Sequence, residues 1–394
     1  MKGFFHRLRD IWIIFGITLL ILILIEVFFK IYFAFNKEED QRLQADYFKN
    51  KNWVQDYNKE FNKCNQERWQ PYVYWKRKPF SGQYINIGEN GLRKTIFTKE
   101  PYVEARPEVK IFFFGGSTIW GTWVRDSYTI PSIVGGGLNK NDVNAVVTNF
   151  GESGYVSTQE ILELELQLQQ GNTPDIVVFY DGVNDVFSAF QQGIAGIPQN
   201  EFNRRKEFNT LNSKKKSMLA FFESLRTLST MKFITQLTKK DTVVGPSYSE
   251  KELKTLSQDA IDIYNENIKM VYALAKTYDF KVIFYWQPTI FNKLVLSEYE
   301  KKQASDNEYL REFTKSTNNK LEQKEIHFEN LDFFDISDIF LNETEPVFID
   351  YCHVSEYGNS VIARRMVNDI LGLLKPAERD QEDQESESVP EDFN

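Results

Sequence analysis

Apolar residues fall along this chain in three patterns, each predicting a different element. Ile11 to Ile25 (IWIIFGITLLILILI) is free of charge for fifteen residues, and VFF follows Glu26. A stretch reaching Phe35 predicts one helix able to cross a bilayer, which needs roughly 20 residues. From Glu108 onward, short continuous apolar runs alternate with longer amphipathic ones. EVKIFFFGG, NAVVTNFG (Asn144–Gly151), DIVVFYDG (Asp175–Gly182), KVIFYWQP (Lys281–Pro288) and IHFENLDF predict five strands. Between them, Ser157-Thr-Gln-Glu160 reads as a capping box opening a Leu-rich helix to Gln170. SQDAIDIYNENIKMVYALAKTY predicts a long helix, another helical stretch precedes IHFENLDF, and the last runs from near Ser355 to near Leu374. Continuous apolar strands separated by helices predict an α/β protein, three layers deep, with a parallel sheet covered on both faces. In such sheets, sites form outside the carboxyl ends of the strands.

The remaining stretches set the boundaries. Residues 1–10 form a short polar N-terminus, 11–35 the apolar span, and 36–105 a stalk with an extended segment (PYVYWKRKPF...INIGENGLRK) packed on the main domain. The domain proper covers 106–376. Between Phe187 and Glu250 the pattern breaks into Asn, Lys, Ser and Gln, with KKK at Lys214 to Lys216, which reads as an insertion over the site. Residues 377–394, too polar to bury surface, are expected to form an acidic, disordered tail.

Charge changes this picture less than its total suggests. The tail holds eight acidic residues and one arginine, −7 of the chain's −9, so the other 376 residues carry about −2. A near-neutral body gives no case for nucleic acid as a partner. Lys2, Arg7 and Arg9 precede the apolar span, and Glu38, Glu39 and Asp40 follow it. By the positive-inside rule the N-terminus is cytoplasmic and the domain lies outside a plasma (inner) membrane crossed once. A cleaved signal peptide is the alternative. Its apolar core would be unusually long, and Ala34 sits between Phe33 and Phe35 rather than in a small-x-small site. Cys64 and Cys352 are the two cysteines. In an oxidising exterior they either pair, stapling the stalk to the loop around Cys352, or stand as unrelated thiols. Without CxxC or HExxH, and with three histidines, no metal or other cofactor is expected.

Candidate chemistry gathers where the strands end. The first strand stops at FGGSTIWG, where glycines permit a sharp turn and Ser117 either caps the next helix or is presented as a nucleophile. No phosphate-loop spacing accompanies the glycines. Gly154 follows the second strand in NFGESGY, and Asn184 the third in YDGVND. Each is a turn former in the plain reading. A Ser117 N–H, a Gly154 N–H and the Asn184 amide converging on one point would make an oxyanion hole. FIDYCHVSEYGNS places Asp350 and His353 three residues apart before the last helix, so the carboxylate can hold one imidazole nitrogen while the other faces a nucleophile.

Ser, Gly, Asn and Asp-x-x-His in this order, in FGGSTIWG, NFGESGY, YDGVND and DYCH, resemble the blocks of the SGNH hydrolases, also called the GDSL esterase/lipase superfamily. The resemblance covers about Val109 to Leu374, roughly two thirds of the chain. It implies a flavodoxin-like SGNH fold. It implies Ser117 as nucleophile, His353 as general base and acid, Asp350 as its orienting carboxylate, and Ser117, Gly154 and Asn184 as the oxyanion hole. Gly116 stands where the family name has aspartate, and that residue is not a triad member. The form GGST is similar to a membrane-anchored bacterial branch found with surface polysaccharides, which implies an acylated, most simply acetylated, carbohydrate as substrate and surface-polysaccharide assembly machinery as a partner. Three functions follow as expectations: an extracytoplasmic serine esterase, a polysaccharide O-acetyltransferase with the same triad, or a membrane-tethered binding or assembly module without turnover. Tyr72, Trp75 and Arg93 are candidates to line the substrate side, against the plainer reading of ordinary packing.

Overall fold

A computed structural model of the protein describes residues 2–36, 40–211, 217, 224–238, 248–322 and 331–374. Two short antiparallel pairs come first in the chain: β1 (Glu67–Gln70) with β2 (Tyr74–Arg77), and β3 (Phe80–Ser81) with β4 (Asn86–Ile87). Five parallel strands then build the main sheet: β5 (Val109–Gly115), β6 (Ala145–Asn149), β7 (Ile176–Asp181), β8 (Lys281–Trp286) and β9 (Leu331–Asp335), in the order β6-β5-β7-β8-β9.

Alternation along these strands makes two cores. Phe112, Phe114, Val177, Phe179, Val282 and Phe284 point to one face, under helices Ser157–Gln169, Val183–Gln192, Glu250–Tyr278 and Glu308–Glu322. Ile111, Phe113, Val178, Tyr180, Ile283 and Tyr285 point to the other, under Ile130–Lys140 and Glu356–Leu374. Register carries Phe114, Phe179 and Phe284 side by side, with stacked rings 5.2 and 4.6 Å apart. Such in-register aromatic pairs stabilise a sheet beyond the area they bury. The three-layer α/β fold expected from the sequence is the one observed.

Two expectations about the elements are corrected. The capping box at Ser157 does not form: Val156 precedes the helix, and its N–H donates to Gln159 Oε1 at 3.3 Å. Ser157 sends both its N–H (3.1 Å) and its hydroxyl (2.6 Å) to the buried Asp185, a stronger acceptor than the helix's own backbone. The break at Phe187 is also too early. Val186, Ala189 and Phe190 are buried in the core, so the helix Val183–Gln192 belongs to the domain. The fifth strand begins at Leu331, and His327 lies outside the described residues.

The chain divides into two compact units, residues 1–41 with 200–247 and residues 42–199 with 248–394. Within the first, Lys2–Phe35 is a single helix with its apolar side chains exposed, long and apolar enough to cross a membrane. Glu26 interrupts the apolar run, and it is matched by the start of helix Ser229–Thr238. Its carboxylate accepts the N–H groups of Ser229 (2.8 Å) and Thr230 (3.0 Å), while Phe29 stacks on Phe233 at 4.3 Å. A carboxylate at a helix N-terminus satisfies donors that have no partner within the helix. Within the second unit, the segment after Gln41 is folded rather than a stalk: Phe48, Val54, Tyr57, Ile85 and Ile87 pack on Trp120 and Trp123. The residues just beyond Ser117 therefore sit under a cover supplied by the N-terminal segment.

Candidate active site

The main sheet ends in the loops that hold Ser117, Gly154 and Asn184, and the loop before the last helix holds Asp350 and His353. β5 stops at Gly115, and Ser117 opens a four-residue helix, Ser117–Trp120. The loop after β6 carries Gly154, whose φ of +79° lies in the region that glycine enters without strain. β7 ends at Asp181, and Asn184 lies at the start of the next helix. Asp350 and His353 occupy the loop before Glu356–Leu374. That loop is pinned from several sides: Ile349 N–H donates to His353 O at 2.8 Å, Tyr299 Oη donates to Ile349 O at 2.6 Å, and buried Glu300 accepts from Val347 and Phe348.

The geometry joins three of these residues in one hydrogen-bonded line. Ser117 Oγ lies 2.7 Å from His353 Nε2, and His353 Nδ1 lies 2.7 and 2.9 Å from the two Asp350 oxygens. The consistent proton assignment has the serine hydroxyl donating to Nε2 and the Nδ1–H donating to the carboxylate. Asp350 also accepts the backbone N–H groups of Cys352 (3.1 Å) and His353 (2.8 Å). Burial by itself raises a carboxyl pKa, but the neighbouring imidazole and these donors outweigh it and hold Asp350 at about 2.

Neither the Ser117 N–H nor the Gly154 N–H donates to a protein acceptor among the described residues. The Asn184 amide gives one proton to Tyr155 O at 2.7 Å, which fixes its orientation and leaves the second. That amide lies so close to Gly116 that an added Cβ there would meet Nδ2 at 2.0 Å. Glycine at this position is thus the condition for the Asn184 placement. The Gly154 loop is braced by a buried ion pair, Arg77 Nε to Glu152 Oε1 at 3.1 Å, and by Arg77 Nη2 donating to Ser153 Oγ at 2.6 Å.

Other predicted residues fall elsewhere. Arg93 does not line a substrate side. It is 1% exposed, pairs with Asp126 at 2.8 Å, and donates to the carbonyls of Trp120, Gly121 and Val124, clamping the turn behind Ser117. Replacing it with methionine leaves Asp126 buried without its cation, and a buried pair broken in this way costs about 3–5 kcal/mol. Urea unfolding of Arg93→Met against the parent is expected to show that loss; a difference under about 1 kcal/mol would contradict the clamp. Trp75 is buried, with Nε1 donating to Ser153 O at 3.0 Å beside Gly154. Tyr72 is exposed at the hairpin turn between β1 and β2.

Cys64 and Cys352 do not pair: both are free, buried thiols. Cys352 Sγ instead lies 3.7 Å from Asp350 Oδ1 and 3.6 Å from His353 Nδ1, and Cys64 Sγ donates to Phe61 O at 3.4 Å. Ligand atoms of Asp350, Cys352 and His353 come within 4.8 Å of one another, as a metal site requires. The imidazole–carboxylate bond already occupies two of them, and burial pushes the Cys352 thiol well above its ordinary pKa, so it is a poor ligand.

Two features had no readable signal in the sequence. Arg42, in the segment after the apolar helix, places Nη1 3.8 Å from Asp350 Oδ2 and lies over the Trp123 ring at 4.7 Å. Nothing in QRLQ distinguishes that arginine from any surface one. A partly exposed pair is worth up to about 1 kcal/mol, so Arg42→Met is expected to lower kcat/KM no more than about fivefold. Steady-state kinetics checks this, and a loss beyond about 100-fold would give Arg42 a larger role.

The second feature is a buried acid cluster beneath Asn184. Glu160, Asp181 and Asp185 are all buried, with Tyr264 Oη donating to Asp181 at 3.2 Å and Asn267 Nδ2 donating to Ser157 Oγ at 2.8 Å. Burial raises Asp181 to about 7 and Asp185 to about 6, and burial with the neighbouring Asp181 charge raises Glu160 well above its ordinary value. The folded state therefore holds protons that the unfolded chain releases near pH 4. Their contribution to stability is complete below that pH and is lost as pH rises through about 6–7. The melting temperature is expected to fall between pH 5 and pH 8, and Asp181→Asn to shrink that fall. An equal fall in both proteins would place its origin elsewhere.

A family model of the GDSL-like lipase/acylhydrolases matches residues 111–366, a span holding Ser117, Gly154, Asn184, Asp350 and His353. Among solved structures the chain is similar to an acetyl xylan esterase (15% identity, 66% of this chain and 100% of that one, TM-score 0.36). It is also similar to a lipolytic protein of the G-D-S-L family from Veillonella parvula (14%, 66% and 97%, TM-score 0.37) and a GDSL-like lipase from Bacteroides thetaiotaomicron (13%, 67% and 89%, TM-score 0.33). No curated protein matches the sequence. With more than half of its length matched, the chain belongs to the GDSL-like lipase/acylhydrolases, within the SGNH hydrolase superfamily of serine ester hydrolases.

Proposed function

We propose that the protein is a membrane-anchored, extracytoplasmic serine esterase that removes acyl groups, acetyl first among them, from a cell-surface glycan. The observation that carries the chemistry is the unbroken line from Asp350 through His353 to Ser117, with both hydrogen bonds at 2.7 Å. A serine hydroxyl is a weak nucleophile at neutral pH unless a base takes its proton. In the proposed reaction, Ser117 Oγ attacks the ester carbonyl as His353 Nε2 accepts the hydroxyl proton. The new C–O bond puts negative charge on the carbonyl oxygen, which the Ser117 and Gly154 N–H groups and the Asn184 amide receive. Collapse breaks the bond to the sugar oxygen, and that oxygen leaves with the proton from His353. Water, deprotonated by His353, then attacks the acyl-serine; the C–Oγ bond breaks, His353 returns the proton to Ser117 Oγ, and acetate leaves. Asp350 holds the imidazole in the required tautomer and stabilises its charged form.

Support for the glycan comes from the resemblance of GGST to the polysaccharide-associated branch, and support for the anchor from the apolar helix Lys2–Phe35. An O-acetyltransferase shares the acyl-serine and differs only in its acceptor, and surface-polysaccharide assembly machinery is then the natural partner. Acetylated oligosaccharide incubated with the full chain in detergent micelles tests the reading, with acetate and acetylated products followed by mass spectrometry. Acetate release supports the esterase, transfer to added oligosaccharide with little acetate supports the transferase, and neither product defeats both.

A further inference from the structure

The β1–β2 hairpin carries aromatic side chains that neither the sheet cores nor the serine–histidine–aspartate line employs. Trp69 is 69% exposed and Tyr72 71% exposed. The Trp69 ring stacks on Tyr74 at 5.6 Å, and Tyr74 on Trp75 at 6.4 Å. Trp75 Cζ2 in turn lies 3.5 Å from where a Cβ on Gly154 would stand. The rings thus form a row that starts in solvent and ends against Gly154, the glycine proposed as an oxyanion donor.

The backbone of this row is held in an unfavourable shape. Trp75 N–H donates to Val73 O at 3.1 Å across Tyr74, whose φ is +74°, and Tyr72 has φ +68°. A γ-turn of this hand is rare and strained, and two bulky residues at positive φ add to the cost. The domain enforces it from both sides: Gln159 Nε2 donates to Val73 O at 2.8 Å, and Tyr155 Oη donates to Trp75 O. Strain that surrounding structure over-determines gathers at functional sites. Here its consequence is to set Tyr74 between the exposed Trp69 and the buried Trp75.

We infer that this hairpin is a glycan subsite, with Trp69 and Tyr72 as the stacking surface for sugar rings and the buried Trp75 behind them tying that surface to the Gly154 loop. Sugar rings present apolar C–H faces and hydroxyl edges. They suit aromatic faces, which carry negative charge density, set among polar side chains. Glu67, Arg68 and Gln70 share the strand with Trp69, so the surface is aromatic and polar rather than a continuous apolar patch. That composition, and the continuity with Gly154, favour a carbohydrate over a lipid surface.

The inference rests on the glycan-esterase reading, and its test separates the two. Binding of acetylated xylo-oligosaccharides and acetylated β-1,4-glucosamine oligomers is measured by calorimetry on the full chain in micelles, in a Ser117→Ala background where no turnover intervenes. Adding Trp69→Ala and Tyr72→Ala together is expected to weaken binding about tenfold or more, as loss of an aromatic anchor does. In the turnover-competent chain, the same pair is expected to raise KM for the oligosaccharide esters more than it lowers kcat. It is also expected to lower the preference for them over p-nitrophenyl acetate about tenfold. Unchanged oligosaccharide affinity, or equal losses on both esters, would overturn the subsite. So would a Trp69 signal quenched by brominated lipid in nanodiscs and lost in Trp69→Phe, which would assign the hairpin to the membrane. Failure of the esterase reading shows separately, as absence of p-nitrophenyl acetate turnover in a chain that still binds sugar.

Discussion

Ser117→Ala is expected to lower ester turnover by about 10⁴-fold or more while leaving the fold intact. The hydroxyl's hydrogen bond in the structure is to His353 Nε2, so its removal takes away the nucleophile and one part-buried contact. His353→Ala is expected to cost as much, because a serine without its base is no more reactive than a free alcohol. The double variant should be no worse than either single one, since the two residues act as a unit. Rates on p-nitrophenyl acetate, with melting curves to confirm folding, decide the point. Losses that multiply in the double variant would mean that the two side chains act separately.

Asn184→Ala is expected to lower kcat by roughly 10²–10³-fold with little change in KM, the signature of a donor used only in the transition state. The prediction extends to a residue that touches no substrate. Gly116→Ala puts a Cβ against Asn184 Nδ2, so the amide must leave its place by Tyr155 O. It is expected to reproduce most of the Asn184→Ala loss in kcat. A Gly116→Ala enzyme with parental kcat would show that the amide position is not what the reaction needs. In this chain the Asn184 amide occupies the space that a Cβ at Gly116 would claim.

The residues legible in the sequence were those whose chemistry depends on local spacing. Asp350 and His353 sit three apart, and that spacing alone lets Asp350 reach both the imidazole Nδ1 and the His353 N–H. Ser117 and Gly154 follow apolar strands of a parallel sheet, whose carboxyl ends converge whatever the loops between them do. β5, β7 and β8 were readable because burial on both faces writes a continuous apolar run, whereas the edge strand β9, only partly buried, starts later than its sequence suggested. What failed depended on contacts between distant segments. Arg93 read as a candidate for the substrate side because nothing in IGENGLRK announces Asp126, its partner 33 residues on. Ser157 read as a cap because Asp185, which outcompetes the helix backbone for it, lies 28 residues away. Of the two readings left open for Cys64 and Cys352, compartment could not choose; contacts between distant segments bury each thiol among other partners, unpaired. Arg42 is the clearest case, a single charge brought beside Asp350 by the packing of Phe48 and Tyr57 on Trp123.

The central claim is that His353 makes Ser117 a nucleophile. The most direct measurement is to react the full chain in detergent micelles with a fluorophosphonate, digest it, and map the adduct by mass spectrometry beside His353→Ala. The account predicts one modified site, Ser117, in the parent and none in the variant over the same time. Folded parent protein left unmodified, or Ser117 modified at the same rate without His353, would contradict it.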